Sequence, residues 1–264
     1  MNNFNFHQPA SVAEAAKAAA KGDARFLAGG QSLIASMKLG LAAPTDLVDL
    51  SGLAELRGIK VDGNAITIGA MTRHAEIAAS AEVRAKIPAL ADLAAGIGDR
   101  QVRNMGTLGG SLANNDPASD WPAAVLGLGA TVNTSRLKIA ADDFFKGLFE
   151  TSLETGEMIV SVSFPIPKKA AYLKFRNAAS RFAIVGVFAA QTAGGARVAV
   201  TGAGAAGVFR ATPMEAALAK SWSPEAIAGI RVDEGDLASD LHASAEYRAH
   251  LVTVMAQRAV AAAK

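Results

Sequence analysis

The sequence contains no cysteine, and this absence excludes several kinds of site. Without thiolates the chain alone can form no disulfide and can hold neither an iron–sulfur cluster nor a cysteine-based zinc site. Histidine is scarce too: the four residues are His7, His74, His242 and His250, and none has the spacing of metal ligands. A metal site built by this chain is therefore not expected.

Long apolar runs and blocks of one charge are also missing. The longest nearly uninterrupted apolar stretch, which begins at Ala123, is about half as long as a bilayer crossing requires. The N-terminus lacks a basic region followed by an apolar stretch, so we expect a cytoplasmic protein without a membrane span. The net charge is +2 without a Lys/Arg cluster, which gives no indication of a nucleic-acid partner.

Composition and length nevertheless predict a folded protein with more than one lobe. Hydrophobic residues make up 51% of the 264 residues, which is enough for a buried core. The first fifty residues have the pattern strand–helix–strand–helix–strand, and the first helix is expected from the capping pair Ser11 and Glu14 to about Lys21. Short strands and helices follow from residue 65, with helices expected at 74–79 and 82–94.

A proline cluster at residues 165–167 predicts a boundary before the C-terminal part. Three segments beyond it predict an antiparallel meander, and three helices follow. The first of these helices has a capping box at Thr212 and Glu215, with proline at its first position. We expect three domains, with the bounds 1–54, 55–168 and 169–264.

The glycine-rich segment 202–207 fits the G-x-G-x-x-G pattern of dinucleotide-binding turns. In such turns a helix begins at the last glycine, and a parallel strand ending in an acidic residue follows. Here four residues separate Gly207 from the helix start at Thr212, and no such strand follows. We predict a closely packed strand exit at this segment instead.

Another glycine segment, AGGQSL at residues 28–33, joins a predicted strand to a predicted helix. Backbone N–H groups at such a junction can face an anion, and glycine permits the left-handed angles that let the chain wrap around it. Ser32 adds a hydroxyl donor. Phosphate is the natural ligand of such a loop, although a Gly-Gly turn between a strand and a helix also occurs without any ligand.

A second loop, TLGGS at residues 107–111, has the same kinds of donor. Two such loops in one chain predict a ligand with two phosphates, such as a dinucleotide. Asp116 and Asp120 follow the second loop, and an ionised aspartate can accept hydrogen bonds from ribose hydroxyls. Each also has a local alternative, because Asp116 can close a turn before Pro117 and Asp120 can cap the next helix.

Together these segments resemble the FAD-binding medium subunits of the molybdenum hydroxylases, the family that includes carbon monoxide dehydrogenase and xanthine dehydrogenase. The resemblance rests on AGGQSL, QVRNMGTLGGSLANNDPASDWPAA, EMIVSVSFPIP and KFRNAASRFAIVGVFAA, and it covers essentially the whole chain. It implies an α+β protein with a p-cresol methylhydroxylase-type FAD-binding fold of two α/β subdomains. A C-terminal domain with a three-stranded antiparallel sheet and helices would complete the chain.

The resemblance also implies which residues would bind FAD without a covalent link. They are Phe26, Leu27, Ala28, Gly29, Gly30, Gln31, Ser32 and Leu33 around the first loop, Gly98, then Thr107, Leu108, Gly109, Gly110 and Ser111, and finally Asp120, Phe182 and Ile184. Phe182 and Ile184 would lie near the isoalloxazine, and both suit a strand core equally well. Many relatives have histidine, asparagine and an acid where this chain has Gln31, Ser111 and Arg181.

A subunit of this family needs no base or nucleophile of its own, because the flavin carries the redox chemistry. The resemblance implies two partners, a large molybdopterin-binding subunit and a small subunit with two 2Fe–2S clusters, assembled as a dimer of heterotrimers. Electrons would pass from the clusters to FAD and on to an external acceptor. The alternatives are a self-sufficient flavin oxidase or dehydrogenase, with Tyr172 and Arg181 as its polar candidates, and a nucleotide-binding regulatory module.

Overall fold

The N-terminal lobe has the predicted strand–helix–strand–helix–strand order in the structure, a computed structural model that describes residues 2–264. Its elements are β1 (Asn5–His7), α1 (Val12–Ala19), β2 (Ala24–Leu27), α2 (Leu33–Lys38) and β3 (Asp46–Asp49). The strands form a parallel sheet in the order β1–β3–β2. The first glycine loop therefore lies at the carboxyl end of β2, where open parallel sheets commonly bind ligands.

Local signals account for the start of α1. The hydroxyl of Ser11 accepts a hydrogen bond from the amide of Glu14 at 3.2 Å, and the Glu14 carboxylate accepts one from the amide of Ala10 at 2.9 Å. The helix ends at Ala19, slightly before the predicted Lys21. A turn through Gly22, which has a φ of +60°, follows it and leads into β2.

The second lobe combines a five-stranded antiparallel sheet with a layer of short helices. In chain order its elements are β4 (Ile59–Asp62), β5 (Ala65–Gly69), α3 (His74–Ala79), α4 (Ala81–Lys86), α5 (Pro88–Ala95), α6 (Arg100–Met105), α7 (Leu108–Asn114), α8 (Trp121–Leu128), β6 (Thr131–Thr134), β7 (Lys138–Ala140), α9 (Ala141–Phe144), β8 (Phe145–Gly147), β9 (Glu150–Thr151) and β10 (Ile159–Pro165). The sheet order is β4–β5–β10–β6–β7, and β8 pairs with β9 in a separate hairpin. Helix α8 is buried along its whole length and forms the centre of this core.

The predicted helix over residues 82–94 is wrong, because two helices occupy this stretch. Pro88 is the first residue of α5, and Ile87 before it has non-helical angles, φ −139° and ψ 72°. Proline disfavours the helical conformation of the preceding residue and cannot donate the hydrogen bond that a continuous helix would need. The break between α4 and α5 therefore results from Pro88.

The C-terminal lobe contains the predicted antiparallel meander, which is confirmed. Its elements are β11 (Lys169–Arg176), β12 (Ala183–Thr192), β13 (Gly195–Thr201), β14 (Phe209–Arg210), α10 (Thr212–Lys220) and α11 (Ala245–Ala262). The two-residue strand β14 extends the meander, giving the order β11–β12–β13–β14. Two single-turn 3-10 helices, Pro224–Ile227 and Glu234–Asp236, replace the middle one of the three predicted helices. Gly229 and Gly235 in this stretch disfavour a longer helix.

The predicted capping box of α10 is wrong. Ala211, not Thr212, precedes the helix, and no side chain caps it. The Glu215 carboxylate instead accepts hydrogen bonds from the amide of Val198 and from the Arg210 guanidinium, both at 2.9 Å. The Glu215 carboxylate binds the buried Val198 amide and the Arg210 cation more strongly than it would bind the amides at the start of α10. Two of those amides, from Met214 and Glu215, already donate to the carbonyl of Ala211.

The glycine segment 202–207 is a strand exit, as predicted, since β14 and not a helix follows it. Gly202 has a φ of +81°, and a Cβ atom there would lie 2.8 Å from the carbonyl oxygen of Ile184. The amide of Gly202 donates to the carbonyl of Pro117 at 2.7 Å. This segment therefore attaches the C-terminal sheet to the chain just before Asp120.

Candidate functional site

The two predicted phosphate-binding segments lie directly against each other. A Cβ atom on Gly29 would lie 2.9 Å from the Cα of Gly106 and still closer to the carbonyl oxygen of Met105. A Cβ atom on Gly110 would lie 3.4 Å from that of Ala28. The backbones approach this closely only because residue 29 is glycine. Both segments therefore belong to one site, although more than seventy residues separate them in the sequence.

The first loop presents backbone N–H groups that nothing else in the protein backbone uses. No carbonyl within residues 2–264 accepts a hydrogen bond from the amides of residues 29–32. Gly30 has a φ of +70°, which turns successive amides towards a common side, and the side chains of Gln31 and Ser32 are exposed. Four adjoining amides without a backbone acceptor, at the start of a helix, fit an oxyanion such as phosphate.

Residues 107–111 form the start of helix α7, whereas the sequence predicts an open loop. Thr107 precedes the helix, and its hydroxyl accepts a hydrogen bond from the amide of Gly110 at 3.2 Å. The amide of Ser111 donates to the carbonyl of Thr107. The Ser111 hydroxyl lies 2.5 Å from that of Ser119. This segment therefore offers mainly hydroxyl groups, and fewer free amides than the first loop.

A segment that the sequence analysis missed, residues 70–74, holds the second motif in place. Three backbone hydrogen bonds join them: His74 N to Gly106 O at 3.0 Å, Leu108 N to Thr72 O at 3.1 Å, and Gly109 N to Ala70 O at 2.8 Å. A Cβ atom on Gly109 would lie 3.0 Å from the Cα of Ala70, so the glycine permits this pairing. Close packing against residues 70–74 therefore gives a second reason for glycine at this position, besides phosphate binding.

The two aspartates after the second motif differ in role. Asp116 accepts a hydrogen bond from the amide of Ala118 at 2.8 Å, so its role is to close the local turn around Pro117. Asp120 is only 4% exposed and does not cap α8. Its carboxylate accepts hydrogen bonds from the Lys174 ammonium at 2.9 Å and from the Tyr172 hydroxyl. Neither Lys174 nor the hydroxyl of Tyr172 was assigned this contact from the sequence.

Burial dominates the electrostatics of this cluster. Burial raises the pKa of Asp120, while the Lys174 charge and the Tyr172 hydroxyl oppose that rise. Burial and the adjacent carboxylate raise the pKa of Tyr172 well above its usual range. Tyr172 therefore stays protonated and acts as a donor, which removes one of the two polar candidates for a self-sufficient oxidase.

Phe182 and Ile184, the two residues predicted beside the isoalloxazine, lie in one segment with Arg181, and this segment approaches the predicted cofactor contact Gly98. The Arg181 guanidinium lies 3.4 Å from the carbonyl oxygen of Gly98, and both residues have positive φ, +63° and +46°. Phe182 is 49% exposed, so it is not strand core. Ile184 is half-buried against the C-terminal core, and its carbonyl accepts a hydrogen bond from Arg248.

Of the apolar residues predicted around the first loop, Leu27 lies against it at Gly30. Phe26 packs against the core of the N-terminal lobe, and Leu33 at the start of α2 is half-buried. A Cβ atom on Gly30 would lie 3.5 Å from Leu27 and 2.9 Å from Ile34. Leu27 and Ile34 therefore pack against the loop at Gly30.

A buried hydrogen bond lies behind the second motif. The indole Nε1–H of Trp121 donates to Nδ1 of His74 at 3.1 Å, and His74 is only 5% exposed. Because Nδ1 accepts this bond, the neutral ring carries its proton on Nε2. Burial, with a smaller contribution from the Arg103 guanidinium, lowers the pKa of His74 to about 4.

This pKa predicts a loss of stability in mild acid. Between pH 6.5 and 4 the unfolded chain binds a proton at residue 74 and the folded chain does not, so the free energy of unfolding falls as the pH falls. From pH 7 to pH 5 the parent should lose about 2 kcal/mol more than His74→Asn. Urea unfolding at both pH values measures this. His250→Asn, at an exposed histidine, should behave as the parent; equal losses in parent and His74→Asn would contradict the prediction.

The chemistry of the site fits FAD. The four unpaired amides suit one phosphate, and the hydroxyls of Ser32 and Ser111 lie on the two segments that meet there. The half-exposed ring of Phe182 offers an apolar surface of the kind that an isoalloxazine needs.

Two family models match nearly the whole chain. The FAD binding domain in molybdopterin dehydrogenase matches residues 2–167, and the CO dehydrogenase flavoprotein C-terminal domain matches residues 170–263. The chain belongs to the FAD-binding medium subunits of the molybdenum hydroxylases. The predicted family is thereby confirmed, and with it an oxidoreductase subunit that uses FAD.

Individual relatives of this molybdenum hydroxylase subunit match along its whole length. The carbon monoxide dehydrogenase medium chain of Afipia carboxidovorans is 34% identical over 99% of this chain and 97% of that protein. The 6-hydroxypseudooxynicotine dehydrogenase complex subunit alpha of Paenarthrobacter nicotinovorans is 33% identical over 99% and 94%. Reconstituted CO dehydrogenase from Oligotropha carboxidovorans matches in structure with a TM-score of 0.90, 33% identity, and coverage of 98% and 97%. The predicted fold class is confirmed.

The described part of the chain has neither a helix fit to span a membrane nor a cluster of metal-binding side chains. None of the helices within residues 2–264 combines the length and apolar character that crossing a membrane demands. Nor do three or more His, Asp or Glu side chains in this range gather where they could hold a metal ion.

Proposed function

We propose that this medium subunit binds FAD where its two glycine segments meet and relays electrons from 2Fe–2S clusters of a small partner subunit to an external acceptor. The observation that carries the proposal is the contact between residue 29 and residues 105–106, beside four unpaired amides. We propose that the amides of residues 29–32 bind the diphosphate, with the hydroxyls of Ser32 and Ser111 as further donors. The other residues named from the resemblance would line the rest of the site. The amides of Leu108 and Gly109 pair with residues 70–72, and the Asp120 carboxylate pairs with Lys174, so these groups would support the site from behind.

The protein's own contribution is binding and orientation. FAD, when bound, supplies the redox chemistry, because flavins exchange electrons one or two at a time. Asp120 is held by Lys174, and Tyr172 keeps its proton, so neither is placed to act as a general base. The lack of a general base at Asp120 and Tyr172 supports an electron relay and gives no support to a self-sufficient oxidase.

We also propose the assembly, the cellular site and the domain limits that the resemblance implies. The relatives named above are a medium chain and a subunit of a complex, and this chain lacks cysteine for clusters of its own. A large molybdopterin subunit and a small 2Fe–2S subunit, in a cytoplasmic dimer of heterotrimers, would complete it. The three-, five- and four-stranded sheets fall one in each of the proposed domains 1–54, 55–168 and 169–264, which supports this division.

Anaerobic flavin spectroscopy tests this function. The chain alone and the complex that co-purifies with it are each mixed with carbon monoxide, glyceraldehyde, nicotine and caffeine, the compounds in the names of relatives. We expect one of them to bleach the visible flavin absorbance of the complex and none to bleach the chain alone. Bleaching of the isolated chain would contradict the relay, and a chain that takes up no FAD would contradict the whole proposal.

A further inference from the structure

We infer that His74 is a positioning residue for FAD, because its ring holds the second glycine motif at a fixed distance from the start of α8, which follows Asp120. The inference rests on the proposed FAD site. It concerns a residue that lies behind that site and need not touch the ligand.

His74 makes contacts to both ends of the segment that it would position. Its amide donates to the carbonyl of Gly106 at 3.0 Å. A Cβ atom on Gly106 would lie 2.8 Å from Nε2 of the same histidine, so the ring packs directly on this glycine. On its other side, Nδ1 accepts the hydrogen bond from Trp121, the first residue of α8. The ring is therefore a spacer between residue 106 and residue 121.

The position of Gly106 matters because this residue also contacts the first loop. Its Cα would lie 2.9 Å from a Cβ atom on Gly29, so the backbones of the two segments are already at their closest approach. A shift of the His74 ring would move Gly106, and with it the surface against which the first loop packs. Close-packed interiors transmit such displacements because they have no empty space to absorb them.

The charged groups around the ring are engaged elsewhere. Arg103 on α6 donates to the carbonyls of Ile97 and Gly98 at 2.8 and 3.0 Å. Glu76 on the helix of His74 accepts from the amide of Arg73, and Asp120 beside Trp121 is paired with Lys174. Among residues 2–264 no carboxylate binds the ring, so the histidine stays neutral and keeps Nδ1 as an acceptor for the indole.

Three variants and one combination separate positioning from simple packing. His74→Asn keeps an acceptor oxygen at the place of Nδ1, whereas His74→Leu keeps bulk and loses the acceptor. Trp121→Phe removes the donor, and His74→Leu with Trp121→Phe removes both partners. The dissociation constant of FAD is measured on each deflavinated full-length chain by flavin fluorescence, together with the thermal midpoint without FAD.

We expect His74→Leu and Trp121→Phe each to weaken FAD binding by about tenfold or more, since either change leaves a buried polar group without its partner. The double variant should bind FAD no more weakly than whichever single variant has the larger dissociation constant, because both changes remove the same hydrogen bond. His74→Asn should bind within about threefold of the parent. If His74→Leu does not fold, Trp121→Phe and His74→Asn still carry the comparison.

Two results would overturn the inference while leaving the proposed function intact. In the first, the parent binds FAD and His74→Leu and Trp121→Phe bind it equally well, with only their thermal midpoints lowered. In the second, His74→Asn binds as weakly as His74→Leu. A parent chain that binds no FAD at all would overturn the proposed function, and this inference with it.

Discussion

Replacing Gly29 with alanine should weaken FAD binding by roughly 5- to 150-fold, the equivalent of about 1–3 kcal/mol. The added methyl group would lie 2.9 Å from the Cα of Gly106 and closer still to the carbonyl oxygen of Met105. Both obstacles are backbone atoms, so no side-chain rotation relieves the clash. The loop must move away from the second motif, and the four amides that it presents move with it. Titration of the deflavinated chain with FAD measures the change.

Gly52→Ala is the matched control. Gly52 also follows a strand of the first sheet, and a methyl group added there would meet no atom within 4 Å. Its backbone conformation is one that alanine adopts. This variant should bind FAD as the parent does. If Gly29→Ala also binds FAD with parental affinity and keeps the parental thermal midpoint, the close approach of the two segments is not present in solution.

Replacing Asp120 with alanine should lower the free energy of unfolding by about 3–5 kcal/mol. The change leaves the Lys174 ammonium, whose side chain is only 9% exposed, without its carboxylate, and the Tyr172 hydroxyl without an acceptor. Removing one member of a buried pair is costly because the remaining charge has lost both water and its partner. Urea unfolding at neutral pH measures the loss.

Two comparisons show whether the buried charge is the cause. Asp23→Ala removes a carboxylate whose ion pair with Arg25 is exposed on both sides, and it should cause no comparable loss. The combination of Asp120→Asn with Lys174→Met should be more stable than Asp120→Ala, because no unpaired charge remains buried. A double variant as unstable as Asp120→Ala would show that the cost has another origin.

Elements with local signals could be predicted from the sequence. Ser11 and Glu14 mark the start of α1 within one turn of chain, and the nearly continuous apolar run that begins at residue 183 coincides with β12. The split of the helix at Pro88 carried an equally local signal, the proline itself, so it was predictable in principle. The two glycine loops were recognisable for the same reason, since each is a short contiguous motif.

Contacts between distant residues could not be predicted in this way. Asp120 lies 54 residues from Lys174, and His74 lies 47 residues from Trp121, so no periodicity relates them. The helical start of the second motif depends on residues 70–74, which pair with it through only a few backbone hydrogen bonds. These tertiary contacts use the amides of Leu108 and Gly109 that the motif alone would assign to a phosphate.

Hydrogen exchange of the full chain, with and without FAD, tests the central claim most directly. The amides of residues 29–32 have no backbone acceptor within residues 2–264, so they should exchange rapidly in the chain without FAD. Bound FAD should slow their exchange by about tenfold or more, because a hydrogen-bonded amide exchanges only when its bond opens. Unchanged exchange at these residues, in a sample whose flavin absorbance shows FAD to be bound, would contradict diphosphate binding by the first loop.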